Sequence, residues 1–267
     1  MPDATPRPLA LVTGASSGIG LELAKQFAEH GFDLVVVAED AELDAAAQQL
    51  RQRGAAVSPV RADLTRREEV EKVVAAVRGS GRPLDAAALN AGVGVGGRFV
   101  ETDLEAEIGM VELNCVSTMH LAKRVAQDMV GRGEGRILFT SSVVSQAPAP
   151  FQAVYSATKA FVQFLALGIR EELDGTGVTV TALLPGPTDT EFFDRGELTD
   201  TKLGASDSKD DPALVARQGF EGLMKGETSV FAGSVTSKLM GRLSAVVPDS
   251  VAGKVQKPMI APGSAEQ

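Results

Sequence analysis

The chain has no tryptophan, one tyrosine, one cysteine and two histidines in 267 residues. A single cysteine, Cys115, excludes an internal disulfide and any cysteine-rich metal centre. In its apolar helical surroundings it reads as a buried, inert thiol. His30 and His120 stand far apart with no ligand spacing between them, so no metal is expected. No Lys/Arg-rich run occurs and the formal charge is −9. Nucleic acid and anionic membrane surfaces are therefore poor partners for it. Nor do eighteen consecutive apolar residues occur, which argues against a spanning helix. Met1 to Pro8 holds three prolines and no apolar stretch of the kind that opens a signal peptide. It reads as a short arm, and the cytoplasm is the expected compartment. What remains is a chain of 44% apolar residues, enough for one large α/β domain.

The single tyrosine lies in Tyr155-Ser-Ala-Thr-Lys159, four residues before a lysine in a helical pattern, and residues four apart share a helix face. Tyrosine ordinarily titrates near ~10. An ammonium about 4 Å away, at an effective dielectric of about 20, contributes roughly 4 kcal/mol toward the phenolate. Such a pair can trade protons near neutral pH, although alone it is more often an ordinary solvated helix face. Its neighbours favour the first reading. Ile137-Leu-Phe-Thr-Ser-Ser142 reads as a buried parallel strand delivering Ser142 at its end. Far upstream, an apolar strand at Leu9 to Thr13 runs into Gly14, Gly18 and Gly20 and then a helical pattern that stops at His30-Gly31. Such a strand, glycine turn and helix let a backbone approach a pyrophosphate at a helix N-terminus.

Phe32 to Ala38 follows as a second strand with Glu39-Asp40 at its end, where an acid can accept hydrogen bonds from a ribose or simply open the next helix. A helix over Ala41 to Arg53 and a third strand over Ala55 to Val60 lead to Ala62-Asp-Leu64. There Asp63 or Thr65 can cap a helix over Arg66 to Arg78. A fourth strand, Pro83 to Leu89, delivers the glycine-rich stretch Asn90 to Gly97. Ile108 to Val130 reads as one long amphipathic helix interrupted by Asn114, a polar side chain that must find partners if buried. Pro148 and Pro150 exclude a long helix before Gln152, and the Tyr155 helix then runs to about Glu172. Val178 to Leu184 is a sixth strand, closed by Pro185-Gly-Pro-Thr188. The polar stretch from about 189 to 211, with five acidic residues between Asp189 and Asp200, reads as a lid or an open loop. A helix over Pro212 to Lys225, a seventh strand over Ser229 to Ala232 and a helix over Val235 to Val247 complete the pattern. The stretch from Pro258 to Gln267 reads as a flexible tail. The expected organisation is thus an arm (1–8), one domain (9–257) and a tail (258–267).

In this order the chain resembles the short-chain dehydrogenase/reductase family from about Leu9 to Phe193. The motifs are TGASSGIG at 13–20, Glu39, Ala62-Asp-Leu64, Asn90-Ala-Gly92, Asn114, Ser142, Tyr155 with Lys159, and Pro185-Gly-Pro-Thr188. The GxxxGxG spacing is the form this family uses, and Ser142 precedes Tyr155 by its usual thirteen positions. Leu89 stands where the family often has a second Asn. The resemblance implies a single-domain doubly wound Rossmann fold whose seven-stranded parallel sheet has the order 3-2-1-4-5-6-7, with helices on both faces. It implies hydride exchange between a nicotinamide cofactor and a carbonyl or alcohol, with Tyr155 as acid/base and Ser142 bonded to the substrate oxygen. Lys159 would hold the nicotinamide ribose and depress the tyrosine, and Asn114 would hold a water that relays protons. Gly14, Ser16, Ser17, Gly18, Ile19 and Gly20 would cradle the pyrophosphate, with Asp63 and Leu64 at the adenine. Asn90, Ala91 and Gly92 would line a ribose, and Pro185, Gly186 and Thr188 the nicotinamide. Because Ser16, Ser17, Glu39 and Asp40 offer no cation, NAD is expected, with NADP(H) as the alternative. A catalytically silent dinucleotide-binding regulator is a further one. Phe99, Val144, Phe151, Phe192 and Phe193 hint at a largely apolar substrate, and a homodimer or homotetramer paired on the Asn114 and Tyr155 helices is expected.

Overall fold

Five residues, all buried, make β1 (Leu9–Thr13), the continuous burial that a strand covered on both faces requires. β2 (Asp33–Ala38) and β4 (Ala86–Leu89) lie on either side of it, again buried at every position. With β3 (Val57–Arg61), β5 (Gly135–Thr140), β6 (Val178–Pro185) and β7 (Ser229–Ala232), the sheet has seven strands in the order β3-β2-β1-β4-β5-β6-β7. Every pairing is parallel. This is the doubly wound order expected above, and its direction reverses between β1 and β4, where such sheets bind their ligands. The structure is a computed structural model and describes residues 7–196, 198–206, 208–244, 253 and 257–266.

Alternation along the central strands divides the core into two layers. Leu9, Leu11, Val35 and Val37 face α3 (Arg67–Gly79), α5 (Thr118–Arg132) and α6 (Ala153–Glu172). Ala10, Val12, Leu34 and Val36 face α1 (Gly18–Glu29), α2 (Glu42–Gln52) and α8 (Pro212–Lys225). The edge strand β3 exposes Ser58, Pro59 and Arg61, and an edge is where a proline, lacking a donor, fits a sheet. Asp211 caps α8 by accepting from Ala213 N at 2.8 Å. Arg7 pairs with Asp33 at 3.2 Å, and Pro8 O accepts from Asp33 N at 2.8 Å, fastening the end of the arm to β2.

Several boundaries differ from the sequence reading. The long helix starts earlier and is broken: α4 (Leu104–Val111) is capped by Asp103, which accepts from Ala106 N at 3.1 Å, and a wide π-turn over Glu112–Ser117 separates it from α5. The start was hidden because Leu104 and Ile108 face outward (64% and 45% exposed), so apolar periodicity does not mark it. Ser142 is not the end of β5 but lies two residues past it. Its hydroxyl accepts from Val144 N at 3.3 Å and opens a 3₁₀ turn over Val143–Gln146. The lid begins and ends at one point, since Thr188 bridges to Asp210 and Asp189 N donates to Asp210 O at 2.9 Å. Among the described residues of the lid is one short helix, α7 (Phe192–Arg195). α9 (Val235–Ser244) is followed by positions 245–247, which lie outside the described residues. The stretch expected to be a flexible tail is packed: Ile260 is buried against Phe193 and Leu198, and Leu203 N donates to Met259 O at 3.1 Å. Among the described residues no helix is long and apolar enough to cross a membrane.

Candidate active site

The strand ends at the reversal point are clamped together. Asn90 N and Ala91 N donate to Thr13 Oγ1 at 2.9 and 3.0 Å, and Asn90 Nδ2 donates to Thr13 O at 3.2 Å. The clamp leaves no room at Gly20, where a Cβ would lie 1.9 Å from Gly14 O and 2.6 Å from Asn90 Nδ2. α1 opens at Ser17 with no side-chain cap and no acid in its first turn. Its N–H groups and positive dipole end are left for an anion. A cavity of about 450 Å³ runs from this turn across the C-terminal edge of the sheet. Every catalytic and cofactor residue named from the sequence lines it except Asn114; of the apolar residues expected at the substrate, Val144, Phe192 and Phe193 line it, while Phe99, 65% exposed, and Phe151 do not. Backbone donors, a close-approach glycine and a long crevice at the reversal point fit a dinucleotide pyrophosphate.

At the β2 end, Ser16 Oγ donates to Asp40 Oδ2 at 2.9 Å, and Glu39 stands beside it in the lining. The sequence reading found no cation in this corner, yet Arg61 Nε donates to Glu39 O at 2.7 Å. Arg61 ends β3, in register with Ala38. The signal for it was the strand order, which puts β3 next to β2, rather than any local motif. Asp63 Oδ1 takes both Thr65 N and Thr65 Oγ1, at 3.0 and 2.6 Å, in a turn ahead of α3. The helix cap itself is Arg66, whose side chain makes no capping bond.

On the opposite wall Tyr155 and Lys159 are 7% and 5% exposed. The Lys159 ammonium donates to Thr140 O at 3.0 Å and lies 5.8 Å from the centre of the Tyr155 ring. Burial pushes the Tyr155 phenol above its ordinary value, and the Ser142 hydroxyl offsets only part of this. The depressed phenol expected from the sequence is therefore corrected. The amine is turned to a carbonyl, and loss of water around the ring outweighs its pull. The same burial lowers Lys159 to about 8. Asn114, in the π-turn, stands behind the cavity. Its Oδ1 accepts from Val93 N at 3.0 Å, and its Nδ2 donates to Val93 O at 2.9 Å and to Thr158 Oγ1 at 3.0 Å. A Cβ on Gly92 would come 2.9 Å from Asn114 Oδ1 and 3.1 Å from Lys159 Nζ, so amide and amine converge on one point. Thr188 is buried, with its hydroxyl donating to Gly186 O at 2.9 Å.

The lid joins the two walls. Ser17 Oγ donates to Glu191 Oε2 at 3.3 Å. The Phe192 ring lies 5.0 Å from the Tyr155 ring, in the space a Cβ on Gly94 would fill at 2.3 Å. Sequence reasoning placed Phe192 in the pocket but missed its seat on the tyrosine. It also missed Glu191, because neither contact has a periodic signature.

A family model described as short chain dehydrogenase matches residues 8–200. Among solved structures, a short-chain dehydrogenase from Sphingobium yanoikuyae in complex with NADPH is 36% identical, with TM-score 0.78, over 84% of this chain and 87% of that one. The bulky-bulky ketone specific alcohol dehydrogenase from Comamonas testosteroni is 32% identical, with TM-score 0.75, over 85% and 86%. A short-chain dehydrogenase/reductase from Burkholderia phymatum in complex with NAD is 25% identical, with TM-score 0.78, over 84% and 88%. With the sheet order, the glycine cradle and a match over most of its length, the chain belongs to the short-chain dehydrogenase/reductase family and is an oxidoreductase that uses a nicotinamide dinucleotide.

Proposed function

We propose that the enzyme interconverts a largely apolar ketone and its alcohol with NAD(H), and that Tyr155 carries the proton at the substrate oxygen. The observation behind this reading is the burial of the chain's one tyrosine in the cavity, with Ser142 at its hydroxyl and Lys159 one turn on. The dinucleotide, when bound, supplies or accepts the hydride. Tyr155 gives the carbonyl oxygen its proton in reduction and removes it in oxidation. Ser142 donates to the same oxygen and stabilises the charge that develops there. Lys159, lowered to about 8, can exchange protons near neutral pH, and Asn114 links it toward solvent. Replacing Tyr155 by Phe is expected to lower kcat by about 10²-fold or more while the nucleotide dissociation constant stays nearly unchanged. Turnover near wild type in that variant would defeat the assignment.

For the cofactor, Glu39 and Asp40 can accept hydrogen bonds from a ribose and repel a 2′-phosphate, which supports NAD. Arg61 beside Glu39, and the NADPH held by the Sphingobium relative, favour NADP(H) as the competing reading. Dissociation constants for both nucleotides in wild type and Arg61→Ala decide between them. The apolar substrate is supported by Val143, Val144, Phe192, Phe193 and Leu203 in the lining, and by the ketone preference of the Comamonas relative. Leu104 and Ile108 on α4, Met119 on α5, and Phe161 and Phe164 on α6 are exposed, which supports a homodimer or homotetramer through these helices. Sedimentation of wild type against Phe164→Glu tests it.

A further inference from the structure

We propose that Asp210 sets the redox balance of the bound dinucleotide: its carboxylate favours the oxidised nicotinamide, which carries a positive charge, over the reduced one, which carries none. Such a role rests on the reading that Pro185, Gly186 and Thr188 line the nicotinamide, and deepens it. Among the described residues three charged side chains are buried: Asp33, Lys159 and Asp210. Asp33 is served by two guanidinium groups, Arg82 at 2.8 Å and Arg7 at 3.2 Å. Asp210, 5% exposed, has no such partner. Its Oδ1 accepts from Ser234 N at 2.8 Å, just ahead of α9, while Oδ2 is buried without a hydrogen bond. The neighbouring Lys209 turns elsewhere, donating to Gly204 O at 3.0 Å and lying 3.5 Å from Asp189 Oδ1. A buried charge without a counter-charge is costly, and an unsatisfied buried oxygen calls for a partner from outside the chain.

Asp210 is fixed directly behind the cavity wall. Its N–H donates to Pro187 O at 2.7 Å, its carbonyl accepts from Asp189 N at 2.9 Å, and Thr188 bridges to it. A Cβ on Gly186 would come 3.2 Å from Oδ2 and one on Gly233 2.0 Å, so the carboxylate fills a slot that two glycines leave open. Gly186, Pro187 and Thr188 line the cavity, and Asp210 does not. Its charge thus acts on the cavity through one layer of backbone. At an effective dielectric of about 20, a unit charge changes the affinity for another about tenfold from as far as about 12 Å. When the nicotinamide ring accepts a hydride it loses its positive charge. A fixed anion behind Gly186 therefore stabilises the oxidised form alone and makes the reduced form a stronger hydride donor, which favours reduction of the ketone on the enzyme.

The test measures dissociation constants in wild type and Asp210→Asn, which keeps the side chain's size and its acceptor for Ser234 N. The ligands are the oxidised and reduced forms of whichever dinucleotide, NAD or NADP, wild type binds more tightly, and the matching ADP-ribose, which lacks the nicotinamide. In the variant the oxidised form is expected to bind about tenfold more weakly, with the reduced form and the ADP-ribose within about twofold of wild type. A tenfold change in that ratio raises the potential of the bound two-electron couple by about 30 mV. Asp210→Glu, which keeps the charge, should hold the wild-type ratio even where its packing costs stability. If Asp210→Asn does not fold, Asp210→Ser carries the same expectation. Equal weakening of all three ligands would mark a merely structural residue, and no change in any would mark a charge the cavity does not feel; either overturns the proposal. Fluorescence of the reduced nicotinamide on wild type separates the parent reading. Emission identical to that of free dinucleotide would put the ring in water and sink both, whereas altered emission with an unmoved ratio sinks only the role of Asp210.

Discussion

The two walls of the cavity are held in different ways. The side proposed for the nucleotide is built from backbone at the ends of β1 and β4, clamped through Thr13 and Asn90 and backed by both core layers. The side proposed for the substrate is closed by a lid seated on a separate small cluster of Phe193, Leu198 and Ile260. That cluster is fastened by Ala265 N to Asp200 O at 2.9 Å and Gly263 N to Asp200 Oδ2 at 2.7 Å. One wall shares the fate of the whole domain, and the other can loosen by itself, as locally stabilised segments do.

Gly20→Ala should have the largest effect. The new methyl would meet Gly14 O at 1.9 Å, and a backbone carbonyl held in the core cannot step aside. The expected result is loss of about 3 kcal/mol or more in denaturant unfolding, with nucleotide affinity reduced beyond measurement. A variant that binds nucleotide normally would show the first wall to be as pliable as the second.

Lys159→Met comes next and carries a pH signature. Burial lowers the amine from 10.5 to about 8 in the folded state, so between those values the unfolded chain binds more protons and stability rises with pH. Below about 8 the cost of holding the buried ammonium is fully present, up to about 3 kcal/mol. Methionine removes that cost. The variant should therefore unfold at higher denaturant than wild type at pH 7, with the gap closing as pH rises toward 10.5. A gap independent of pH would mean that the ammonium is not desolvated.

How much of this was legible in the sequence differs between the walls for the same reason. β1, β2 and β4 are apolar apart from Thr13 and Asp33 at their ends, and the glycine turn has a fixed spacing, so the fold and the candidate nucleotide cradle could be read from local pattern. Tyr155, Ser142 and Lys159 were legible as identities, but the direction in which the phenol moves was not, because burial arises from chain segments distant in sequence. Arg61 acts across two strands. Ile260 sits in the short apolar run Met259-Ile260-Ala261 between Pro258 and Pro262, and three residues are too few to show a period, so a packed anchor looked like a loose tail.

Phe192→Ala probes the second wall directly. The Phe192 ring rests on Tyr155 at 5.0 Å, so its removal should enlarge the pocket. We expect KM for small ketones to rise about tenfold or more, turnover of bulkier ones to improve, and nucleotide affinity to stay within about twofold of wild type, since one methylene in an apolar pocket already changes discrimination by about 10–200-fold and the lost ring is larger. A matching loss of nucleotide affinity would show that the lid and the cradle act as one unit.

The smallest effect is expected for Ile260→Ala, and it separates the two walls most sharply. Truncating a buried isoleucine in a large core costs about 2–5 kcal/mol, and Leu11→Ala in β1 should show a loss of that size in the global transition. Ile260 is as well buried, at 5% exposure, but its partners belong to a cluster of three buried residues. If that cluster opens before the domain unfolds, its weakening does not enter the global transition. The variant should then melt within about 2 °C of wild type, taking about 2–4 °C per kcal/mol for a chain near this size. Its effect should instead appear as faster amide exchange at Leu203 and Ala265, and as a KM about threefold higher for the ketone. A fall in melting temperature equal to that of Leu11→Ala would place the lid anchor in the same cooperative unit as the sheet.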